Sequence, residues 1–543
     1  MSSETVYLLI PEIILVFAAT AIYLGGTFMR SREGWSWLAA AALLVAGLAL
    51  YQQHSSPILE PAANSTARVV FSGPLTLDAF SQAVRWTVLA VGLLFVMLSS
   101  RAATWSQAPE FMGSLLLILA GLMLVATAND LVLLFLALEL VSIPTYVVLY
   151  LGRSDAASQE ATAKYFFLSI LSSALLLYGF SFLYGAAGSA QLGEVWKALS
   201  TPGADPAASV SLARLALVLI VAGLGFRIAA VPFHFYAPDV FQGTSHPNAG
   251  LLSVVPKVAG FAALLRIVAG AMPGLEGEAW QMSMVLAMLT MTVGNVLALW
   301  QQNIRRMLAY SSIAHAGYML IGLAVGFAVA GDAQSASSIN GFGAMLFYLL
   351  VYAAATIGTF AALALLSSED RAVDGVDDLA GLGLTHPRTA AAISVFMFSL
   401  TGLPPLAGFF GKLTLFTDAL AVDAAHADAV GQYEAGPLWS WFLALAIVGV
   451  LNAAISAGYY LRIVGAMYFR SSINVPDARG GWGAAAATLV CALLVIGAGL
   501  WPSPLIDQAN RAGEAVTATF GKPDVQQPAL GSAPGPNSGT ARR

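Results

Sequence analysis

Long apolar segments recur along almost the whole chain and constrain its fold more than any other feature. A helix needs about twenty apolar residues to cross the hydrocarbon core of a bilayer, and roughly fourteen segments approach or exceed that length. Segments so long and continuous predict helices and not the strands of a closed barrel. We therefore expect an all-α membrane protein of about 14 transmembrane helices. The segments lie near residues 6–29, 36–52, 78–100, 110–127, 131–152, 162–187, 210–236, 249–271, 279–300, 304–329, 340–367, 389–421, 438–469 and 482–502.

Composition supports this class and excludes several others. Hydrophobic residues make up 58% of the 543 residues and charged residues only 10%, whereas soluble domains carry about 25% charged residues. The net charge of −5 gives no reason to expect a nucleic acid partner. Cys491 is the only cysteine, which excludes an internal disulfide and the zinc or iron–sulfur sites that need several thiolates. No basic region precedes the segment at 6–29, so we expect a retained helix and not a cleaved signal peptide.

The distribution of basic residues between the loops predicts the orientation in the membrane. Positively charged loops stay in the cytoplasm, and the loops after odd-numbered segments carry most of the positive charge. The opposite loops hold little beyond Arg68 and Lys197. We therefore expect both termini on the outer side. The basic residues of the predicted cytoplasmic loops are Arg30, Arg32, Arg101, Arg153, Arg305, Arg306, Arg371, Arg388, Arg470 and Arg479.

Proline and glycine interrupt the seventh and twelfth segments, at Pro232 in one and at Gly402, Pro404 and Pro405 in the other. Proline breaks the hydrogen-bond ladder of a helix, and broken helices in matching positions are typical of transporters built from inverted repeats. The two breaks lie five segments apart, so we predict two inverted five-helix repeats with helices seven and twelve broken. The predicted units are 1–105 (helices 1–3), 106–272 (first repeat, helices 4–8), 273–472 (second repeat, helices 9–13), 473–520 (helix 14) and 521–543 (a disordered tail rich in Pro, Gly and Ser).

A few ionisable residues lie inside the apolar segments, where a charge costs about 2.5–3.5 kcal/mol on insertion scales and persists mainly with partners or water. Glu139 is the clearest acid, in the fifth segment, and Arg227, just before the seventh-segment break, is its natural partner. The pair is a candidate electrostatic gate. An ion pair that only braces the broken helix is nearly as good an interpretation, and Glu139 held neutral by hydrogen bonds is a weaker one.

Lys257 and Lys412 are the candidate proton carriers. A buried lysine, unlike arginine, can release a proton near neutral pH. Lys257 follows Pro256 well inside the eighth segment, which disfavours the alternative of a lysine that reaches the membrane surface. For Lys412, beyond the twelfth-segment break, that alternative is a real competitor. His315, beside Ser311 and Ser312, is a candidate link between the lysines, although a histidine with structural hydrogen bonds is at least as good an interpretation.

Other residues give weaker signals. Lys164 begins the sixth segment, where we expect it to reach the membrane surface, with a relay role second. His234 and His246 match no common metal spacing, and no dinucleotide, nucleophile, flavin or haem motif is present. An acid and several bases spread over separate apolar segments indicate a charge relay. We predict a chain that moves charge without making or breaking bonds.

Several long motifs resemble one family, the antiporter-like membrane subunits of respiratory complex I and of multisubunit cation/proton antiporters. They are ELVSIPTYVVLYL around Glu139, GLGFRIAAVPFHFYAPDVFQG, LLSVVPKVAGF, QQNIRRMLAYSSIAHAGYMLIG and LTGLPPLAGFFGK, in the family's order, within a likeness over about 6–470. The chain most resembles the N type. The lysine at position 412 resembles the N and L types, whereas the M type would be expected to carry a glutamate there. The L type would be expected to have a long lateral helix after the last segment, and this sequence shows none.

The resemblance implies a proton-translocating subunit of NADH–quinone oxidoreductase in the bacterial inner (plasma) membrane, surrounded by other membrane subunits. It implies no cofactor in this chain, with NAD, FMN, iron–sulfur clusters and quinone in partner subunits. The alternatives are a subunit of a sodium/proton antiporter and a membrane scaffold that conducts nothing.

The resemblance also implies roles for the ionisable residues. Glu139 with the base at 227 is the coupling pair, Lys257 the central relay, and Lys412 the outward terminal, with His315 and waters between them. The family usually has lysine where Arg227 stands, so position 227 is better interpreted here as a counter-charge than as a proton carrier.

Overall fold

A computed structural model of the protein describes residues 3–29, 34–54, 69–100, 107–152, 155–201, 206–331, 339–367, 373–423, 426–427, 433–434, 436–471 and 480–521. The helices are α1 Ser3–Leu8, α2 Ile10–Phe28, α3 Trp35–His54, α4 Ala79–Ser99, α5 Ala108–Thr127, α6 Leu131–Gly152, α7 Ala156–Ala187, α8 Leu192–Ser200, α9 Pro206–Ile228, α10 Ala237–Gly243, α11 His246–Leu264, α12 Glu276–Leu299, α13 Ile304–Gly331, α14 Gly341–Leu366, α15 Leu382–Thr385, α16 Pro387–Thr401, α17 Ala407–Ala421, α18 Trp439–Phe469, α19 Gly481–Leu500 and α20 Ser503–Gly521. A π-helical turn, Leu265–Ala269, extends α11, and a 3-10 turn covers Val376–Leu379. The strands are β1 Val70–Ser72 with β2 Leu75–Leu77, and β3 His426–Ala427 with β4 Tyr433–Glu434, each pair antiparallel.

The predicted all-α membrane class is confirmed. Thirteen helices in the described part of the chain are long and apolar enough to cross a membrane. The remaining predicted segment, 389–421, is divided between α16 and α17, each 15 residues long. Four described helices lie outside the predicted segments. Three are short, namely α8, α10 and α15, and the fourth, α20, carries polar and charged residues along one side.

The seventh segment leaves its helix before the proline. Helix α9 ends at Ile228, turns cover residues 229–236, and α10 follows. Side chains satisfy backbone groups that the break frees: the hydroxyl of Tyr236 donates to the carbonyl of Phe226 (3.0 Å), and the Thr290 hydroxyl of α12 accepts from the N–H of Val231 (3.0 Å). Such partners are what allow an interrupted helix within a membrane.

The twelfth segment breaks between α16 and α17. Gly402 ends α16 with φ +93°, a left-handed conformation that favours glycine. Its N–H donates back to the carbonyls of Phe398 and Ser399. The last carbonyls of a helix carry partial negative charge, so this break presents acceptors to a cation.

The interior of the bundle is formed by α11 with α13, α14 and α5. All 19 residues of α11 are buried, and most of α5, α13 and α14 is buried as well, whereas α2, α3, α9 and α18 expose much of their apolar surface. Side chains on α11, α13 and α14 therefore face one another within the protein and not lipid.

The helices of the two predicted repeats contact one another in a similar order. In the first set α5 packs on α6, α6 on α7, α7 on α9, α9 on α11, and α11 returns to α5 and α6. In the second set α12 packs on α13, α13 on α14, α14 on α16 and α17, these on α18, and α18 returns to α12 and α13. The inversion and the unit boundaries stay predictions. The predicted tail lies outside the described residues from 522 onward, as do Arg30, Arg32, Arg68, Arg101, Arg153, Arg371 and Arg479.

A buried ion pair anchors the end of the α11 segment. Arg266, in the π-helical turn, donates to both carboxylate oxygens of Asp78 at 2.6 and 2.8 Å. Thr519 of α20 donates to the same carboxylate (2.9 Å), and the Ala126 carbonyl accepts from Arg266 (2.7 Å). This cluster ties together α4, α5, α11 and α20, which are far apart in sequence.

Candidate proton-transfer site

The candidate pair Glu139 and Arg227 is in direct contact between α6 and α9. A guanidinium nitrogen of Arg227 lies 3.1 Å from a carboxylate oxygen of Glu139. Ser173 of α7 donates to the same oxygen (2.5 Å), and Arg227 also donates to Ser142 (2.6 Å) and to the carbonyl of Leu138 (3.3 Å). Arg227 is buried, while the side chain of Glu139 is 22% exposed. The acid therefore lies at the edge of the bundle and the base inside it.

Lys257 is buried on α11 and has a hydroxyl as its hydrogen-bond partner. Its ammonium donates to Ser312 of α13 at 2.5 Å, and the hydroxyl of Tyr352 on α14 donates to the same serine oxygen at 2.8 Å. The Tyr352 ring lies 5.6 Å from the ammonium. No salt bridge to Lys257 occurs in the described part of the chain, so a charged Lys257 is held by dipoles and a π face only.

His315 lies on α13 between two tyrosine hydroxyls. Its Nδ1 is 2.6 Å from the hydroxyl of Tyr348 and its Nε2 is 2.9 Å from that of Tyr460. The Tyr460 hydroxyl also bonds Ser311. A neutral imidazole donates at one nitrogen and accepts at the other, so this arrangement is able to pass a proton from one tyrosine hydroxyl to the other.

Lys412 lies on α17 and caps the end of the broken helix. Its ammonium donates to the carbonyls of Leu400 and Thr401, each at 2.9 Å, at the C-terminus of α16. The ring of Tyr318 lies 4.8 Å from the ammonium. Lys412 is 4% exposed. Lys412 therefore does not reach toward the membrane surface. Its charge is directed inward, to carbonyls at the negative end of a helix dipole.

Aromatic residues join these three groups into one buried polar seam, which we define as Lys257, Ser312, Tyr352, His315, Tyr348, Tyr460, Tyr318 and Lys412. The centroid of the His315 ring lies 5.0 Å from that of Tyr352, beside Lys257, and 5.8 Å from that of Tyr318, beside Lys412, so these rings pack against one another. Each of the eight is buried. The seam thus brings the eighth, tenth, eleventh, twelfth and thirteenth predicted segments together around their polar groups.

The pair Glu139–Arg227 stands apart from the seam. No hydrogen bond joins it to Lys257 among the described residues. Helices α9 and α11 pack closely near Gly260, one turn beyond Lys257, because a Cβ added there would lie 2.5 Å from the Ile228 side chain and 3.5 Å from the Cβ of Arg227. Influence between the pair and the seam therefore has to act through space or through water.

Lys164 belongs to a different cluster, on the side of the bundle that holds the start of α13. It bonds Glu160 (2.7 Å) and Asp239 (2.8 Å), and Arg306 bonds the other oxygen of Asp239 (2.5 Å). Partial burial pushes the pKa of Asp239 upward, but the hydrogen bonds and charges of Lys164 and Arg306 outweigh it and lower the pKa below its ordinary value. Lys164 is 40% exposed. Its geometry supports a surface ion network more than a relay.

The tyrosines of the seam and Asp239 were not predicted from the sequence. Tyr348 and Tyr352 are four residues apart on α14 and so share a helix face, a signal that was available. Tyrosines are common in apolar segments, so that signal is weak without the fold. No cluster of three or more His, Cys, Asp or Glu side chains that would hold a metal ion occurs among the described residues.

A protein-family model described as NADH:quinone oxidoreductase/Mrp antiporter, transmembrane, matches residues 128–432. The NADH-quinone oxidoreductase subunit N of Trichlorobacter lovleyi is 36% identical over 513 residues, which cover 93% of this chain and 96% of the relative. Subunit N 1 of Rhizobium meliloti is 36% identical over 534 residues, covering 96% and 100%.

Solved structures give the same fold. A chain of respiratory complex I from Thermus thermophilus with bound Aureothin has a TM-score of 0.72 and 32% identity, over 92% of this chain and 98% of that one. A chain of the Mrp complex from a Dietzia species has a TM-score of 0.76 over 96% and 98% of the two chains. Its identity is only 20%, so this second likeness concerns the fold alone.

Proposed function

The chain belongs to the NADH:quinone oxidoreductase/Mrp antiporter family, in the branch of the N subunits, and from this premise we propose that it translocates protons as a membrane subunit of NADH–quinone oxidoreductase. The family resemblance carried by the sequence motifs is thereby confirmed. The proposed direction is outward, and quinone reduction in other subunits is the proposed driving reaction.

The single observation that carries the proposal is the buried polar seam. Two lysines that pair with no carboxylate in the described part of the chain stand at its ends, and hydroxyls and an imidazole, which both give and accept protons, lie between them. Burying this many polar groups is costly in a membrane protein, and such groups mark ion pathways and proton relays. We propose that water molecules join these polar groups where they do not bond one another directly.

Within this proposal each residue has a distinct task. Lys257 accepts a proton and passes it through Ser312 or Tyr352 toward His315. Lys412 receives it and releases it on the outer side. The dipole of α16 favours the charged form of Lys412, so release requires a change in that contact or the approach of a second charge.

The pair Glu139–Arg227 has the task of coupling. Arginine keeps its proton, so Arg227 acts by moving its charge relative to Glu139 and Lys257. Glu139, at the edge of the bundle, is open to a neighbouring membrane subunit. We propose Lys164 as part of the surface ion network that holds α7, α10 and α13 together on the cytoplasmic side.

The proposed surroundings rest on the family resemblance and, for the termini, on the basic residues of the loops. They are a bacterial inner membrane, other complex I membrane subunits as partners, both termini on the outer side, and NAD, FMN, iron–sulfur clusters and quinone in those partner subunits. A sodium/proton antiporter is not favoured. The relatives above 30% identity described here are N subunits or a complex I chain, and the Mrp likeness shows the fold alone.

The test is formation of a pH gradient by vesicles that contain the assembled complex with Lys257→Ala. We expect the gradient to be lost, with the complex still assembled. The matched control is Lys197→Ala, because Lys197 is an exposed lysine of α8, paired with Glu194 outside the seam. A normal gradient with Lys257→Ala would show that the chain braces the complex and does not conduct.

A further inference from the structure

Two asparagines lie buried between α12 and α18, beside the seam but not in it. Asn295 is 0% exposed and Asn452 3%. A buried carboxamide is costly unless its donors and acceptors are paired. Asn295 donates to the Asn452 side-chain oxygen (3.1 Å) and to the hydroxyl of Tyr318 (3.3 Å), and it accepts from the hydroxyl of Tyr459 (3.0 Å). Both ends of the Asn295 amide are therefore in use.

The amide fixes the direction of these hydrogen bonds. An amide N–H only donates and an amide oxygen only accepts, whereas a hydroxyl does both. Tyr318 accepts from Asn295, so its own proton stays available for another acceptor. Tyr459 gives its proton to Asn295, so its oxygen stays available to accept. Asn295 thus leaves the Tyr318 hydroxyl able to donate a further hydrogen bond and the Tyr459 hydroxyl able to accept one.

Each of these tyrosines leads to a different part of the seam. The ring of Tyr318 lies against the Lys412 ammonium and 5.8 Å from the His315 ring. The ring of Tyr459 lies 4.4 Å from that of Tyr460, whose hydroxyl bonds Nε2 of His315. Asn295 has no hydrogen bond to either titratable group, yet it reaches both of them through one or two tyrosines.

We propose that Asn295 is a positioning residue for proton transfer between His315 and Lys412. It holds Tyr318 against Lys412, supports Tyr459 against Tyr460, and sets the direction of their hydroxyl protons. Asn452 completes the arrangement: it accepts from Asn295 and donates to the Thr292 hydroxyl (3.2 Å) and to the carbonyl of Val448 (3.0 Å). This role rests on the proposed proton-translocating function.

The test is the number of protons pumped per NADH oxidised, measured in vesicles with the assembled complex across a range of pH. Asn295→Asp keeps the shape of the side chain but replaces the amide nitrogen, which donates to Tyr318 and Asn452, by an oxygen that donates one hydrogen bond when protonated and none when ionised. We therefore expect a lower proton yield and a new pH dependence of that yield. A purely structural amide would not alter the pH profile. The matched control is Asn129→Asp, since Asn129 is a buried asparagine in the turn before α6, away from the seam.

A second variant, Tyr459→Phe, covers the case in which the new carboxyl prevents assembly. It removes one hydroxyl and introduces no charge, and we expect it to lower the proton yield. A normal yield and pH profile for Asn295→Asp, a normal yield for Tyr459→Phe, or an equal change with Asn129→Asp would overturn the inference. If Lys257→Ala abolishes pumping while these variants pump normally, the inference fails and the proposed function stands.

Discussion

The buried ion pair of Asp78 and Arg266 yields a prediction whose magnitude follows from its contacts. Asp78→Asn removes the charge but retains a side chain that caps a helix as well as aspartate does, so the bond to the N–H of Ser81 at the start of α4 is kept. Arg266 would then be a cation with 1% of its side chain exposed and no counter-charge.

Removing one partner of a buried ion pair costs about 3–5 kcal/mol. We expect the lower end, about 3 kcal/mol, because the Ala126 carbonyl, the Phe80 ring 4.8 Å away and the new amide oxygen still stabilise Arg266. At a fixed temperature this is roughly a hundredfold in the ratio of folded to unfolded protein, since 1.4 kcal/mol is tenfold. The double variant Asp78→Asn with Arg266→Met leaves no unpaired charge and should recover most of the loss.

The assay uses Cys491, the only cysteine, which is buried in α19. A thiol-reactive fluorophore labels it as the purified chain unfolds in detergent with rising temperature. The matched control is Asp377→Asn, whose pair with Arg470 is exposed (75% and 56%) and whose loss should cost at most about 1 kcal/mol. Equal stability of Asp78→Asn and Asp377→Asn, or a double variant no more stable than Asp78→Asn, would contradict this prediction.

Three further predictions concern the charged groups. Arg227→Lys should preserve or improve pumping in vesicles, because lysine keeps the charge beside Glu139 and is able to release a proton; abolished pumping would contradict the role of Arg227 as a counter-charge. Glu139→Ala should leave the complex assembled but stop gradient formation, and a normal gradient with that variant would favour a scaffold. Asp239→Asn should destabilise the protein at neutral pH, because the pKa of Asp239 is held low in the folded state by Lys164 and Arg306, and this stabilisation is present above the unfolded pKa of about 3.9. The difference in thermal inactivation between the native protein and Asp239→Asn should vanish as the pH falls through the pKa that Asp239 has in the folded protein. A difference that persists at lower pH would contradict this role of the Asp239 charge.

Local patterns predicted much of the fold. Thirteen of the fourteen segments correspond to helices of spanning length because hydropathy alone decides which helices tolerate hydrocarbon. The interruption near Pro232 was readable because proline lacks an N–H. The contact between Glu139 and Arg227 was expected for a similar reason, since two of the few charges inside apolar segments stabilise each other.

Long-range contacts were beyond such reasoning. Asp78 and Arg266 are 188 residues apart, and no local pattern joins them. The partners of Lys412 are the backbone carbonyls of Leu400 and Thr401, which the helix break frees. Residue types alone do not indicate which backbone carbonyls are free. The tyrosines around His315 were missed because an aromatic residue in an apolar segment packs with or without a role for its hydroxyl. Helix α20 was missed because its polar side keeps its mean hydropathy low.

The most direct test is a map of the assembled complex by electron cryomicroscopy at a resolution that shows ordered water. We expect the map to show water molecules that bridge Lys257 and Tyr352 to His315, and Tyr348 and Tyr318 to Lys412. Dry apolar packing between those groups, with each lysine bonded only to its present partners, would contradict it.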